Sequence, residues 1–344
     1  MGKKKITCIV LVILVAGVLA WNWDDVSSLL NSGLYQNGKA GLVTEDNLEG
    51  RNNEQKKPGG TATHGKSGKS DFDETGVNDK RNSESKRISK VKKQRFQTRD
   101  CVLAEDKDYS VYDNTLYAWW FKRNDNHEQS GCQEDFDITQ YDAHYTVPVS
   151  EKKMYITFDC GYENGFTPDM LDVLKEEQVT AAFFVTQTFI RDNVDLVKRM
   201  KEEGHLVCNH TVTHPSMPGK SVEEQRKELL DCENYMKQAT GYELDLFYRP
   251  PKGEYSQRSL QVAKDLGYTT VFWSIAYLDY DVNNQPSREH VVEHFKKYYH
   301  PGAIPLLHNV SQANHDALQQ VLQDLKKEGY TFGSLYDLWV EPEK

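Results

Sequence analysis

Two imidazoles stand four positions apart in His210-Thr211-Val212-Thr213-His214. If the chain is helical there, both rings project to one side, the spacing at which paired nitrogens hold a divalent metal. A catalytic metal needs an open position and a third protein ligand, for which Cys160 is the candidate because a thiolate binds zinc strongly. A small buried apolar residue is the other reading of Cys160. Cys160, Cys208, His210 and His214 would together form a closed structural site, which leaves Asp159, Arg249 and His308 without a shared task. A divalent metal, zinc being the expected one, would polarise a carbonyl and position a water. A carboxylate then takes the water's proton and an imidazolium protonates the leaving group. Asp159 suits the base and His308 the acid; Arg249 would pair with Asp159 and keep it ionised, and Asp279 would hold His308 in its proton-donating form. This is equipment for hydrolysing an amide or an ester, and no Gly-x-Ser-x-Gly nucleophile elbow occurs.

Such residues act together only if strands deliver them to one place. From Lys152 onward, short β-rich runs alternate with amphipathic helical ones, and residues 154–158, 181–185, 206–209, 246–248, 270–274, 304–307 and 330–332 read as strands. Thr167-Pro168 supplies a cap and a first-turn proline, and Ser221-Val222-Glu223-Glu224 is a capping box. Gly204, Gly241, Gly267 and Gly329 fall where helices should stop. The alternation predicts a parallel sheet, and about seven units in roughly 190 residues suit a small or incomplete barrel better than an open sheet. Asp159 then follows the first strand, His210 the third, Arg249 the fourth and His308 the sixth, with Asp279 a few residues beyond the fifth. Catalytic groups of α/β barrels collect at these carboxyl ends.

The preceding chain divides by composition. Lys3, Lys4 and Lys5 precede an uncharged apolar run over residues 6–23 that ends near Trp21 and Trp23, so residues 1–30 are expected to be a membrane anchor or signal segment. Cleavage after Ala20 competes with an uncleaved anchor, and either places the remainder outside the cytoplasm. Residues 31–95 are expected to form a flexible basic linker, too poor in apolar side chains to offset its ordering entropy. Residues 96–149, with Tyr117, Trp119, Trp120 and Phe121, are expected to be a partly ordered extension on a catalytic domain spanning residues 150–344.

Charge follows the same division. The 344 residues carry 42 Lys and Arg against 52 Asp and Glu, a net charge of -10 that argues against nucleic acid as a partner. Residues 51–100 hold roughly 14 basic and 7 acidic groups, so a basic tract precedes an acidic domain and suits either an anionic surface or a soluble tether. Export permits disulfides, and Cys101 with Cys132 is the expected bridge, although spacing alone does not assign connectivity. No protein partner is inferred.

Thr157-Phe158-Asp159-Cys160-Gly161, His210 to His214, Arg249-Pro250-Pro251, Trp273 through Asp279-Tyr280, and Leu306-Leu307-His308 together resemble the motifs of the polysaccharide deacetylases, the family-4 carbohydrate esterases. The resemblance covers about residues 150–340 and implies a distorted (β/α)7 barrel. It also implies Asp159 as base, His210 and His214 as metal ligands, Arg249 as the residue orienting the base, and His308 as acid. Cys160 stands where the family usually has a second, metal-binding aspartate, and Ala276 where an acidic residue is common. One branch also lacks that aspartate, the bacterial de-N-acetylases that form muramic δ-lactam in spore-cortex peptidoglycan. The chain resembles that branch in Gly161-Tyr162-Glu163-Asn164-Gly165, His214-Pro215-Ser216 and Arg249 through Ser256. The resemblance therefore implies removal of the acetyl group of N-acetylmuramic acid, with peptidoglycan glycan strands as partner. N-acetylglucosamine or chitin oligomers are the alternative substrate, and a wall-binding protein with a decayed site is the alternative of another class. Glu163 and Glu254 are candidates to line the groove, and Tyr162, Tyr248, Tyr255, Trp273 and Tyr280 to stack on sugars or to pack in the core. The sequons at Asn209 and Asn309 overlap the site motifs and read as coincidence.

Overall fold

The structure is a computed structural model that describes residues 74–104, 107–133 and 135–340. The expected anchor, the cleavage point after Ala20 and residues 31–73 of the expected linker lie outside the described residues. Among the described residues no helix is long and apolar enough to cross a membrane.

The N-terminal elements are α1 (Glu74–Ala104), β1 (Tyr117–Ala118), β2 (Phe121–Lys122), β3 (Gly131–Cys132), β4 (Ala143–His144) and β5 (Lys153–Met154). The central elements follow as β6 (Thr157–Cys160), α2 (Thr167–Glu176), β7 (Ala182–Val185), α3 (Gln187–Asp192), α4 (Val194–Glu202), β8 (Leu206–Asn209), α5 (Val222–Thr240) and β9 (Asp245–Tyr248). The remainder are β10 (Glu254–Tyr255), α6 (Gln257–Asp265), β11 (Thr269–Val271), α7 (Arg288–Tyr298), β12 (Leu306–His308), α8 (Gln312–Lys327) and β13 (Thr331–Phe332).

The principal sheet has seven strands in the order β12-β6-β7-β8-β9-β11-β4, and every pairing within it is parallel. Its middle strands are buried on both faces, which is why a segment such as Ala182-Phe183-Phe184-Val185 is apolar without alternation. The period of two nevertheless sorts the layers. Phe158, Cys160, Phe183, Val185 and Val207 pack outward under the helices, whereas Tyr155, Ala182, Phe184, Cys208, Phe247, Val271 and Ile304 fill the concave side. The sheet curls into a half-barrel. Beyond β11 the chain forms one more parallel bridge, Ile275 to Pro305, at the entry to β12, so the seam is crossed without a full ladder.

The seventh strand is not the expected one. Residues 331–332 pair with Lys153–Met154 in a separate two-stranded sheet, while Ala143 and His144 pair with Thr270 and Val271 in the main sheet. The segment upstream of residue 150 therefore contributes a strand to the barrel instead of merely lying on it. The helix α1 also runs through residue 95, where the linker was expected to end. Its last turns are held by the domain: Arg95 pairs with Asp142 at 2.7 Å, and Arg99 pairs with Glu233 at 2.7 Å and donates to the Leu266 carbonyl at 2.6 Å.

Helix ends follow the sequence signals closely. Ser221 and Glu224 form the reciprocal cap of α5, and Gly241 ends that helix at φ 81°. At α2 the cap residue is Phe166, not Thr167, and the exposed amides are served by Glu163, whose Oε1 accepts from Gly165 N at 2.7 Å and Thr167 N at 3.1 Å. Glu163 is thereby committed to organising this turn. No disulfide joins Cys101 to Cys132: Cys101 is exposed on α1, and the Cys132 thiol lies 3.3 Å from the Gln133 carbonyl.

Candidate active site

Asp159 and His308 are register partners on β6 and β12, so their side chains leave the sheet on the same face. Both lie inside their strands, one step earlier in the geometry than the sequence pattern implied. Arg249 rises from the end of β9 on the concave face and is fully buried. Its Nη1 donates to Asp159 Oδ1 at 2.6 Å, Nη2 to Thr157 Oγ1 at 2.9 Å, and Nε to the Val271 carbonyl at 3.0 Å. The guanidinium also stacks over Phe184, 4.1 Å from the ring centroid. Burial alone raises the Asp159 carboxyl, but the charge of Arg249 outweighs it and holds the group below the usual carboxylate range. With Oδ1 anchored, Oδ2 is the oxygen left to accept a proton; it lies 3.5 Å from His210 Nε2.

The adjacent strand carries the second dyad. The His308 Nδ1–H donates to Asp279 Oδ1 at 2.7 Å, and the His308 amide donates to Asp279 Oδ2 at 2.8 Å. Burial pushes the imidazole down, but the adjacent Asp279 charge and hydrogen bond raise it above its ordinary value. Nδ1 is thus occupied, and Nε2 is the ring atom that faces out from a side chain still 24% exposed. Asp279 is fully buried and is itself fixed by Asn314, whose Nδ2 donates to Oδ2 at 2.7 Å while Tyr277 donates to Asn314 Oδ1 at 2.6 Å. Asn314 is not among the sequence candidates; its signal is a polar residue on the apolar face of α8 beside Ala313, Ala317 and Leu318.

His210 and His214 do come together, with ring centroids 4.8 Å apart, but no helix does it. The segment is a bend in which Thr211 and His214 both take positive φ, 72° and 57°. For a β-branched residue such as Thr211 this is a strained conformation that its surroundings must impose. Asn209 Oδ1 accepts from Thr211 N at 2.8 Å, Glu228 Oε2 accepts from Val212 N and Thr213 N at 2.9 and 2.8 Å, and Thr211 Oγ1 accepts from His214 N at 3.0 Å. His210 Nδ1–H donates to the Arg249 carbonyl at 2.8 Å, which leaves the lone pair on Nε2. Burial, reinforced by the neighbouring His210, pushes His214 down to about 4, and burial also lowers His210, so both rings are neutral and able to bind metal.

Cys160 is not with them. Adjacent strand residues point to opposite faces, so Asp159 on the concave side puts Cys160 in the outer core with Phe158, Val185 and Leu307, fully buried. Burial, aided by the charges of Asp159 and Glu163, pushes the thiol well above its normal value and disfavours the thiolate. Cys208 belongs to the concave core, so the closed site of two cysteines and two histidines is excluded by the pleat. Among the described residues no three His, Cys, Asp or Glu side chains form a ready metal cage. The residues present therefore fit a metal as a two-nitrogen pair beside Asp159, without the expected sulfur.

Of the candidate stacking residues, Tyr248 and Tyr255 are core, while Tyr162 and Tyr280 are about half exposed, Tyr280 with its ring 5.7 Å from that of His308. Asn209 and Asn309 are fully buried and hydrogen-bonded, which bars glycosylation.

Comparison with known proteins agrees with this geometry. The polysaccharide deacetylase family profile matches residues 146–271. The chain is 46% identical over 232 residues to the peptidoglycan-N-acetylmuramic acid deacetylase PdaA of Bacillus subtilis, covering 67% of this chain and 88% of that protein. It is 34% identical over 197 residues to a peptidoglycan-N-acetylglucosamine deacetylase of Bacillus cereus, covering 56% of this chain and 91% of that one. Among solved structures, Bacillus subtilis PdaA, a family 4 carbohydrate esterase, superposes with a TM-score of 0.65 at 44% identity, covering 67% of this chain and all of that one.

Proposed function

The chain belongs to the polysaccharide deacetylase family, the family-4 carbohydrate esterases, and from that premise we propose that it removes the acetyl group of N-acetylmuramic acid in peptidoglycan, in the formation of muramic δ-lactam in spore cortex. The observation that carries the reading is the pair of oriented dyads, Arg249–Asp159 and Asp279–His308, set side by side with Asp159 and His308 on neighbouring strands.

In this reading a sugar acetamido group lies between the two dyads. Asp159 Oδ2 takes a proton from a water whose oxygen adds to the acetyl carbonyl. Arg249 keeps Asp159 ionised and fixes which oxygen receives that proton. The carbon–nitrogen bond then breaks as His308 Nε2–H protonates the departing nitrogen, releasing acetate and a free amine. Asp279 stabilises the charged imidazole beforehand and holds its tautomer. His210 Nε2 and the His214 ring would hold a divalent ion, zinc being suited to imidazole ligands. When bound, such an ion polarises the carbonyl and lowers the pKa of a water.

The retention of Asp159, Arg249, Asp279, His308 and both histidines in working geometry favours an enzyme over a decayed wall-binding protein. The reading includes an extracytoplasmic location, supported by the lysines and apolar run of residues 3–23, with a membrane tether or, after cleavage at Ala20, secretion. The test is acetate release from peptide-free glycan strands and from chitin oligomers, each with and without chelator. Chelator-sensitive release from the glycan strands, with the new amine on muramic acid, supports the proposal. Release from chitin oligomers alone replaces it with an N-acetylglucosamine substrate.

A further inference from the structure

The loop after β9 carries a cation that the reaction leaves unused. Arg249-Pro250-Pro251-Lys252-Gly253 turns away from the strand end where Arg249 binds Asp159, and Lys252 is held at φ 61°, in the left-handed region. A non-glycine residue stays there only when its neighbours require it. Here Gly253 follows at φ 65°, packed so closely that a Cβ would come within 2.8 Å of the Trp273 ring. The Trp119 amide donates to the Gly253 carbonyl at 2.8 Å, and Glu254 and Tyr255 pair antiparallel with Ala118 and Tyr117.

The Lys252 side chain is exposed and has no carboxylate partner among the described residues. It stands three residues beyond Arg249, on the loop at the carboxyl end of β9. A lysine on a fixed backbone at the carboxyl end of the strand that delivers Arg249, exposed and without a carboxylate partner among the described residues, is placed to meet an anion on the substrate.

The sugar chemistry supplies such an anion. Muramic acid carries a lactyl ether at O3, next to the C2 acetamido group; its carboxyl is a free anion when no peptide is attached and a neutral amide when one is. N-acetylglucosamine has neither. A site that presents the acetamido carbonyl to Asp159 and the histidines must therefore hold the lactyl group within reach of one rim.

We infer that Lys252 recognises the free lactyl carboxylate of a peptide-free muramic residue and so sets the substrate preference of the site. The inference rests on the muramic acid reading above. Its test uses the full chain and compares kcat and KM on peptide-free glycan strands, the same strands with the lactyl carboxyl converted to a simple amide, and chitin oligomers. The wild type favours the carboxylate strands over the amidated ones. Lys252→Gln raises KM on the carboxylate strands roughly fivefold, leaves kcat and the amidated strands unchanged, and Lys252→Arg restores the preference. Added salt narrows the wild-type preference and leaves Lys252→Gln unaffected. Muramic acid deacetylation by the wild type with an unchanged preference in Lys252→Gln overturns this inference alone. A wild type that produces amine only on glucosamine overturns both it and the muramic acid reading.

Discussion

Asp159 and His308 stand side by side as paired positions on adjacent parallel strands, and each is bound by a buried partner of opposite charge, Arg249 for one and Asp279 for the other. Neighbouring strands run about 4.8 Å apart. Base and acid therefore rise from one face of the sheet, and their separation is set by backbone pairing rather than by loop conformation. The partners push the two groups in opposite senses, Asp159 toward the ionised form and His308 toward the protonated one. Opposed environments of this kind assign an acid and a base.

Replacing Asp159 by Asn keeps the shape but removes the proton acceptor and the charge opposite Arg249. Turnover is expected to fall on the order of 100- to 10 000-fold, measured as acetate release. Arg249 is completely buried, so the loss of its counter-ion also lowers stability, by about 3 kcal/mol, which a denaturant melt would register. Near-normal turnover in a folded variant would remove Asp159 from the mechanism.

Asp279→Asn tests the acid. His308 must carry its proton, and Asp279 raises its pKa above the ordinary histidine value, so activity persists past that value and declines as pH rises through the elevated one. Without the carboxylate, the burial that already pushes His308 down goes unopposed. The alkaline limb of kcat/KM is then expected to move to lower pH while the acid limb stays in place. An unshifted alkaline limb would show that another group donates the proton.

Much of this was legible in the chain, and the failures share a physical cause. Strand-end positions of Asp159, His210, Arg249 and His308 follow from patterning because the middle strands are buried on both faces and bounded by strong helix caps. Cys160 is a candidate ligand by its place beside Asp159 in the sequence, but the pleat sends neighbours to opposite faces and puts it in the outer core. The histidine spacing suggests a helix, but two left-handed residues and the Glu228 clamp on α5 bring the rings together. Ala143 and His144 gave no period to detect, since a two-residue strand is specified by the edge of β11 that it covers.

Cys160→Ser separates packing from ligation. The hydroxyl would sit in an apolar layer among Phe158, Val185 and Leu307, so stability is expected to drop by about 1–3 kcal/mol with metal content unchanged on dialysis. In the native protein a maleimide should label exposed Cys101 and spare Cys160. Loss of bound metal from a folded Cys160→Ser protein would return the sulfur to the ligand set.

Glu228→Ala reaches the histidines from outside. Glu228 accepts from the amides of Val212 and Thr213 and from the Thr213 hydroxyl at 2.7 Å, and so holds the bend that carries His214 opposite His210. Releasing it should weaken metal affinity about 10- to 100-fold, as loss of a supporting contact does at other sites, read by competition with a chelating dye.

The N-terminal segment gives the strongest test of the architecture, because two truncations should behave differently. Deleting residues 1–106 removes α1 with the Arg95–Asp142 and Arg99–Glu233 pairs and uncovers the Leu266 carbonyl, but leaves the seven-stranded sheet whole. That protein should fold with a lower melting temperature and retain activity. Deleting residues 1–149 also removes β4, which pairs with β11, and Trp119, which stacks on Phe272 at 4.5 Å and donates to the Trp273 carbonyl. The exposed β11 edge and aromatic layer then become a template for association. Soluble, active enzyme from the shorter chain would mean that the half-barrel is complete without the strand supplied from upstream. Aggregation of it alone would place the catalytic unit's boundary before Tyr117, although every motif lies after Lys152.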